Sequence, residues 1–323
     1  MRAVVTGAAG FIGSALCDAL LGRGDTVVGI DCFTPYYDEV VKRDNLADAA
    51  RDQRFTLCEI DLRDADLRDV VADADVVFHQ AAQPGVRLSW SDGFGDYVSH
   101  NVLATQRVLE AVKETGARVV NASSSSVYGH ALRYPTREDD LPAPYSPYGV
   151  TKLAAEHLCG LYASNWGVHT VALRYFTVFG PRQRPDMAIH RLCEAAIHGA
   201  PFPRYGDGSA VREFTFVDDI VRANILAADA DVAPGSVANV AGGSEITVAD
   251  LVTLVEELAG RPIAVVAHVA QPGDTKRNAG AIDHAHALFG WAPKVDLRDG
   301  ITRQLAWHAL PPPSLRRRDT RRP

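Results

Sequence analysis

Tyr148 and Lys152 stand four residues apart in Ser146-Pro147-Tyr148-Gly149-Val150-Thr151-Lys152. On a helix that spacing puts a phenol and an ammonium on one face. Ser146 suits an N-cap, and Pro147 the first helical position. A free phenol, with a pKa of about 10, is a poor base at neutral pH. A lysine cation and a helix N-terminus both favour phenolate. Bringing the phenol to about 7 asks for roughly 4 kcal/mol of differential stabilisation. The chemistry expected is proton transfer at a hydroxyl. Ahead of this pair lies Ala122-Ser123-Ser124-Ser125-Ser126-Val127-Tyr128-Gly129, which reads either as a polar loop or as hydroxyls facing a ligand at a strand's carboxyl end. Tyr–Lys pairs also decorate ordinary helix surfaces, so the choice rests on what lies upstream.

Upstream is Thr6-Gly7-Ala8-Ala9-Gly10-Phe11-Ile12-Gly13, between an apolar strand and a helix. Glycines there allow a tight turn, close approach of pyrophosphate and close helix packing. The free N–H groups opening the helix complete an anion site. A G-x-x-G-x-x-G string alone says little; the strand–turn–helix context makes it a dinucleotide cradle. Asp31 ends the second strand, where a carboxylate accepts from both ribose hydroxyls and repels a 2′-phosphate, so NAD is expected rather than NADP. Asp61-Leu62 follows the third strand and reads either as flanking the adenine or as a helix N-cap. Ala81-Ala82-Gln83 follows the fourth, where small side chains let a dinucleotide cross the strand ends. The cofactor-binding set is therefore Gly7, Gly10, Phe11, Ile12, Gly13, Asp31, Asp61, Leu62, Ala81, Ala82, Gln83, Asn101, Tyr148 and Lys152.

The elements that must hold these residues are legible as alternation. Ala3–Val5, Thr26–Ile30, 55–57, 76–78, 118–120 and 169–173 are short apolar runs separated by helical or polar stretches. They are too apolar for a sheet with one wet face and fit parallel strands covered on both sides. Helices are expected over 11–21, 187–198, 217–230 and 248–259, with a strand over 212–217. The fold class is α/β, a doubly wound, Rossmann-type parallel sheet with a smaller C-terminal substrate lobe. Residues 1–174 form the dinucleotide half and 175–310 mainly the second lobe. The boundary is open, since about 214–240 reads equally as a return to the first lobe.

The chain has 323 residues, 47% of them hydrophobic and 23% charged, and a formal charge of −7, so no attraction to nucleic acid is expected. The stretch 311–323 opens on three prolines and carries five arginines, and reads as a disordered basic tail. No apolar run reaches membrane-spanning length, and a strand beginning near Arg2 leaves no room for a signal peptide. Five scattered cysteines without a C-x-x-C pair suggest reduced thiols in the cytoplasm, with no metal site expected. Nucleophile-elbow, zinc-protease and P-loop motifs are absent from the sequence.

Together the cradle, the serine run, Tyr148-x-x-x-Lys152, Leu173-Arg174-Tyr175-Phe176 and Arg212-Glu213-Phe214-Thr215-Phe216-Val217-Asp218-Asp219 resemble the extended short-chain dehydrogenase/reductase family of nucleotide-sugar epimerases and dehydratases. The likeness runs from Met1 to about His308. It implies catalytic roles for Tyr148, Lys152 and Ser124. Within the family the chain is most similar to UDP-glucuronate 4-epimerases, through 31–38, Gln83-Pro84-Gly85-Val86-Arg87, Thr177-Val178-Phe179-Gly180-Pro181 and Arg184-Pro185-Asp186-Met187. The Asp-Glu pair of the dehydratases is replaced by Ser125 and Ser126. The glutamate usual in the decarboxylases is missing from the same segment. Thr177 and Gln271 replace an asparagine and an arginine of the galactose epimerases.

The resemblance implies interconversion of UDP-glucuronate and UDP-galacturonate through a 4-keto sugar. Ser125, Ser126 and Thr177 would hold the carboxylate with neutral hydroxyls, avoiding the desolvation cost of a buried ion pair. Arg87, Arg184, Arg212 and Arg277 are candidates for the diphosphate or carboxylate, since guanidinium forks suit both; each alone reads equally as a surface arginine. Asp274 would contact the nucleotide ribose, or is a turn aspartate. A homodimer is implied, through helices ending near Val112 and at Glu156-His157. Two other readings stay open: turnover of a neutral nucleotide sugar, and a dinucleotide-sensing protein without turnover.

Overall fold

The computed structural model describes residues 1–311. The basic stretch expected to be disordered lies, apart from its first residue, outside the described residues. Six of the expected strands form: β1 (Arg2–Thr6), β2 (Thr26–Ile30), β3 (Phe55–Cys58), β4 (Val76–His79), β5 (Arg118–Ser124) and β6 (Thr170–Tyr175). With the Ser236–Val240 strand they make one seven-stranded sheet. Its spatial order is β3, β2, β1, β4, β5, β6, then Ser236–Val240, and every pairing is parallel. The direction of winding reverses between β1 and β4. In such sheets a crevice opens there, beyond the carboxyl ends of the strands.

Alternation along the strands builds two cores. Val5, Phe78, Val120 and Leu173 face one side, against the Phe11–Arg23 and Val217–Asp229 helices. Val4, Val77 and Val119 face the other, against the Ala104–Val112 and Pro147–Trp166 helices. Burial of both faces is why the strands read as unbroken apolar runs.

Past β6 the chain builds short sheets beside the crevice. Val178–Phe179 pairs with Thr215–Phe216, and Phe202–Tyr205 with Val265–His268. Val211–Glu213 pairs with both Glu245–Thr247 and Arg277–Asn278. The single strand expected over 212–217 is thus two short strands in different sheets, broken at Phe214. Among the described residues, no helix is long and apolar enough to cross a membrane.

Candidate active site

The cradle is built by backbone. Gly7 has φ +66°, and a Cβ there would sit 2.8 Å from the Ala81 nitrogen. A Cβ on Gly13 would sit 2.1 Å from the Gly7 carbonyl oxygen, so only glycine lets the helix close on the turn. The Phe11–Arg23 helix has no side-chain cap and no acidic residue in its first turn. Its leading N–H groups and positive dipole end therefore suit pyrophosphate. Asp31 accepts from the Ala9 N–H at 3.0 Å and the Phe33 N–H at 2.8 Å, which fixes its carboxylate at the end of β2.

Two chambers meet at the strand ends. One, of about 200 Å³, is lined by Gly7, Gly10, Phe11, Ile12, Gly13, Asp31, Asp61, Leu62, Ala81, Ala82, Tyr148 and Lys152. The other, of about 300 Å³, is lined by Ser124, Ser125, Ser126, Tyr148, Thr177, Arg184, Arg212, Asp274 and Arg277. Phe11, Ile12, Pro84, Ser123, Tyr148, Tyr175 and Arg184 line both. Tyr148 therefore stands where the contents of one chamber would meet those of the other.

Three sequence-selected residues, Asn101, Gln83 and Arg87, do not line this cleft. The Asn101 side chain is buried, accepting from the Gln83 N–H at 2.7 Å and donating to the Gln83 carbonyl at 3.1 Å and to Thr151 at 2.9 Å. It ties the 81–83 turn to the Tyr148 helix instead of facing a ligand, and Gln83 is the backbone it holds. Arg87 stacks over Tyr205 at 3.9 Å and pairs with Asp274 at 3.1 Å. Asp61 does line the first chamber and is not a helix cap: it accepts from the Arg63 N–H at 2.9 Å and pairs with that guanidinium at 2.6 Å.

The Tyr148 helix starts as the sequence reads. Ser146 accepts from the Gly149 N–H at 3.1 Å, and Pro147 holds the first position. The electrostatics differ from the expectation. Burial pushes the Tyr148 phenol above its ordinary pKa; the Ser124 hydrogen bond opposes this first, and the Arg184 charge second. Lys152 donates to the Ala122 carbonyl at 2.7 Å, and burial lowers its pKa to about 8. The free chain thus keeps Tyr148 protonated at neutral pH, and Arg184 is the cation that bears on it. Desolvation outweighs the helix N-terminus here.

The arginines lining the larger chamber are not equivalent. Arg184 pairs with Asp186 at 3.0 Å, and Arg277 with Glu245 at 2.6 Å. Arg212 forms no ion pair among the described residues and donates only to the Val211 carbonyl, at 2.9 Å. Burial disfavours its charge, and Asp274 nearby partly offsets that. A half-buried cation without a carboxylate partner is the group best placed to gain from an anionic ligand. Ser125 accepts from the Asn278 amide at 3.0 Å, which orients the serine turn.

His79, which sequence reasoning passed over, sits fully inside at the end of β4. Thr6 Oγ1 accepts from the Ala81 N–H and lies 2.8 Å from His79 Nδ1, to which its own proton is free to go. The Thr105 hydroxyl gives its proton to the Asn101 carbonyl, so His79 Nε2–H donates to Thr105 at 3.0 Å. A neutral imidazole, accepting the Thr6 proton at Nδ1 and donating from Nε2, fits this chain. Burial first, and the Lys152 charge second, lower the His79 pKa to about 3. Below about 6.5 the unfolded chain takes a proton there that the folded chain refuses. Stability should therefore fall as pH drops from about 6.5 toward about 3, by about 5 kcal/mol in all from this residue. Urea unfolding across that range checks it. The His79→Gln variant should lose His79's share of the slope, the rest coming from other histidines that burial holds neutral, such as His190 and His308; equal slopes in the two proteins would exclude His79 as a source.

Residues 3–241 match the model of the NAD dependent epimerase/dehydratase family. An uncharacterised UDP-glucose epimerase of Bacillus subtilis strain 168, YtcB, is 40% identical over 309 residues, which span 95% of this chain and 98% of its own. A probable UDP-glucuronate 4-epimerase of Rhizobium meliloti strain 1021 is 34% identical over 331 residues, spanning 95% and 97%. The crystal structure of UDP-glucuronic acid 4-epimerase from Bacillus cereus with UDP-glucuronic acid and NAD superposes with a TM-score of 0.92 at 40% identity, covering 95% of this chain and 99% of that one. The matched span runs from the first strand of the sheet to the end of its last, and the chain belongs to the NAD dependent epimerase/dehydratase family.

Proposed function

We propose that this chain is an NAD-dependent UDP-glucuronate 4-epimerase, interconverting UDP-glucuronate and UDP-galacturonate through a 4-keto sugar. The observation that carries the reading is Tyr148 shared between a glycine-cradled chamber and one rich in hydroxyls and arginines. Likeness at 40% identity to the Bacillus cereus enzyme supports it.

Gly7, Gly10, Phe11, Ile12, Gly13, Asp31, Ala81, Ala82 and Lys152 would hold NAD, with Asp31 on a ribose; Asp61 and Leu62 would flank its adenine. NAD supplies, when bound, a hydride acceptor and donor and a positively charged ring. Tyr148, ionised once that positive charge lies beside it, would take the proton from the sugar O4 and later return it. Ser124 shares the hydrogen bond to that oxygen. Arg184 favours the ionised phenol from across the cleft. Arg212 would hold the diphosphate, about which the keto sugar turns to present its other face. Ser125, Ser126 and Thr177 would hold the uronate carboxylate. Asp274 is the only acidic residue lining the larger chamber among the described residues, and Arg87 neutralises it. Repulsion of a uronate is thereby small.

Incubation with UDP-glucuronate and NAD, without reductant, should give UDP-galacturonate with the carboxyl retained, as read by NMR. Turnover of UDP-glucose and UDP-galactose alone would sink the substrate assignment and leave an epimerase. NAD binding without turnover of any of these would leave a dinucleotide-sensing protein.

We assign 1–174 and the 214–240 return to the dinucleotide half, and most of 175–310 to the sugar side. Limited proteolysis that cuts inside the 214–240 return with the rest intact would remove that division. A homodimer is proposed through the Ala104–Val112 and Pro147–Trp166 helices and the turns before them. Leu103, Val150 and Leu161 are large apolar side chains left exposed there. Glu156 is not part of that face: it is buried against Arg174, and its helix continues to Trp166. A one-chain mass in sedimentation would remove the dimer. Five free thiols suit a reducing compartment, and we place the protein in the cytoplasm. Recovery in an exported fraction would refute that.

A further inference from the structure

Asn278 lines the larger chamber and takes no part in the proton transfer. It lies on the short Arg277–Asn278 strand, in register with Arg212. Its side-chain amide donates to Ser125 Oγ at 3.0 Å, across 153 residues of chain. The amide oxygen is buried and has no hydrogen-bond partner among the described residues. A side chain kept for packing alone would not carry that cost, since an apolar group of the same shape avoids it.

The amide nitrogen, not the oxygen, faces Ser125. Turned the other way, the nitrogen would take the buried position with both N–H groups unpaired, and orphaned donors are rarer inside proteins than orphaned carbonyl oxygens. A hydroxyl oxygen has two lone pairs and one proton. Asn278 fills one of those lone pairs, and the Ser125 side chain makes no other hydrogen bond among the described residues. Its proton is therefore free for a ligand in the chamber. Ser124 is engaged in the same way, its oxygen accepting from the Ser126 N–H at 3.1 Å. N–H donors behind these two hydroxyls bias both toward donating into the chamber.

Such a wall suits one sugar substituent better than another. A carboxylate can only accept, whereas a hydroxymethyl group both donates and accepts. We propose that Asn278 is a specificity-determining residue, which holds Ser125 as a donor and so favours a uronate over a neutral hexose. The inference rests on the uronate reading above, with Ser125 among the residues that hold the carboxylate. Asn278 is a positioning residue in this scheme, because it acts through Ser125.

The neutrality of Asn278 matters as much as its shape. Aspartate is nearly the same size, but its carboxylate would take the Ser125 proton for itself and set a negative charge beside the uronate. Ser125 would then face the chamber with lone pairs only. A hydroxymethyl group can donate to such an oxygen, and a carboxylate cannot. Alanine would release the Ser125 lone pair without adding charge, so the hydroxyl would accept from a neutral sugar as readily as it donates to an acidic one.

The test measures the dissociation constants of UDP-glucuronate and UDP-glucose by calorimetry on the NAD-loaded protein, at pH 8, well above the ordinary carboxylate range. The parent should prefer the uronate. Asn278→Asp should lower the ratio of the two affinities by about 10²-fold, chiefly through the uronate, because like charges side by side are strongly disfavoured. Asn278→Ala should lower it by about tenfold or less, the scale of one hydrogen bond, and should change it no further in a Ser125→Ala background. A ratio that holds in Asn278→Asp while both sugars weaken alike would trace the loss to Arg212, the register neighbour, or to a damaged fold, and would overturn the proposal. So would a ratio unchanged by Asn278→Ala, since Ser125 would then be oriented without it. A parent that binds both sugars equally would sink the uronate reading and this inference with it, whereas a parent preference that survives both substitutions sinks the inference alone.

Discussion

Tyr148→Phe is expected to lower kcat about 10³-fold on UDP-glucuronate, the usual scale of a positioned general base, while NAD still binds. The ring itself should stay in place. It packs edge-on against Tyr97 with centroids 6.2 Å apart, a contact phenylalanine keeps. What is lost is the oxygen that Ser124 and Arg184 address. Because both chambers share this residue, a structural defect would show as weakened NAD retention together with a lowered unfolding temperature. A purely chemical one would leave both near the parent values. Steady-state rates by NMR, NAD content by absorbance and a thermal melt separate the two. A variant within about tenfold of the parent rate would remove Tyr148 from the role of base.

The local patterns carried much of this architecture. Gly7 and Gly13 are legible because a turn this tight excludes a Cβ, a property of the backbone that any reader of the sequence can anticipate. Ser146-Pro147 announces the helix that bears Tyr148, and the apolar doublets Val4-Val5 and Val119-Val120 announce strands buried on both faces. What stayed hidden depends on partners distant in the chain. Lys152 looked like the cation that ionises Tyr148, yet it spends its bond on a carbonyl from β5 and loses basicity to burial. Spacing reports which side chains share a helix face; it does not report the solvent each will lose. Arg87 and Asp274 were separate candidates, and only the fold shows that they neutralise each other across 187 residues. His79 carried no signal at all, being a single polar residue at the end of an apolar strand, where its worth lies in the hydroxyls on either side.

Glu156→Ala is expected to destabilise the protein by about 3–5 kcal/mol, more than any surface substitution. The Glu156 and Arg174 side chains are 6% and 5% exposed and pair at 2.6 Å. Glu156 also accepts from Ser123 at 2.7 Å, and Arg174 donates to the Tyr128 hydroxyl at 2.7 Å, which donates to Asn239 at 2.7 Å. Burial disfavours the Arg174 cation, but the bond to Glu156 outweighs it and holds the guanidinium pKa above its ordinary value. Removing the carboxylate leaves that charge inside with no counter-ion, and arginine cannot shed its proton to escape. The network ties β5, β6 and the Ser236–Val240 strand to the Tyr148 helix at the point where the serine run leaves the sheet. Its loss should therefore reach Ser124 as well as the fold. A buried pair owes much of its apparent strength to the cost of breaking it, so the double variant Glu156→Leu/Arg174→Met should regain most of the lost stability. Urea midpoints of the parent, the single variant and the double variant test both statements. A single variant within about 1 kcal/mol of the parent would show that water reaches Arg174 and that the pair is not buried in solution. A double variant as weak as the single would show that the hydrogen bonds to Ser123 and Tyr128, rather than the charges, hold this corner together.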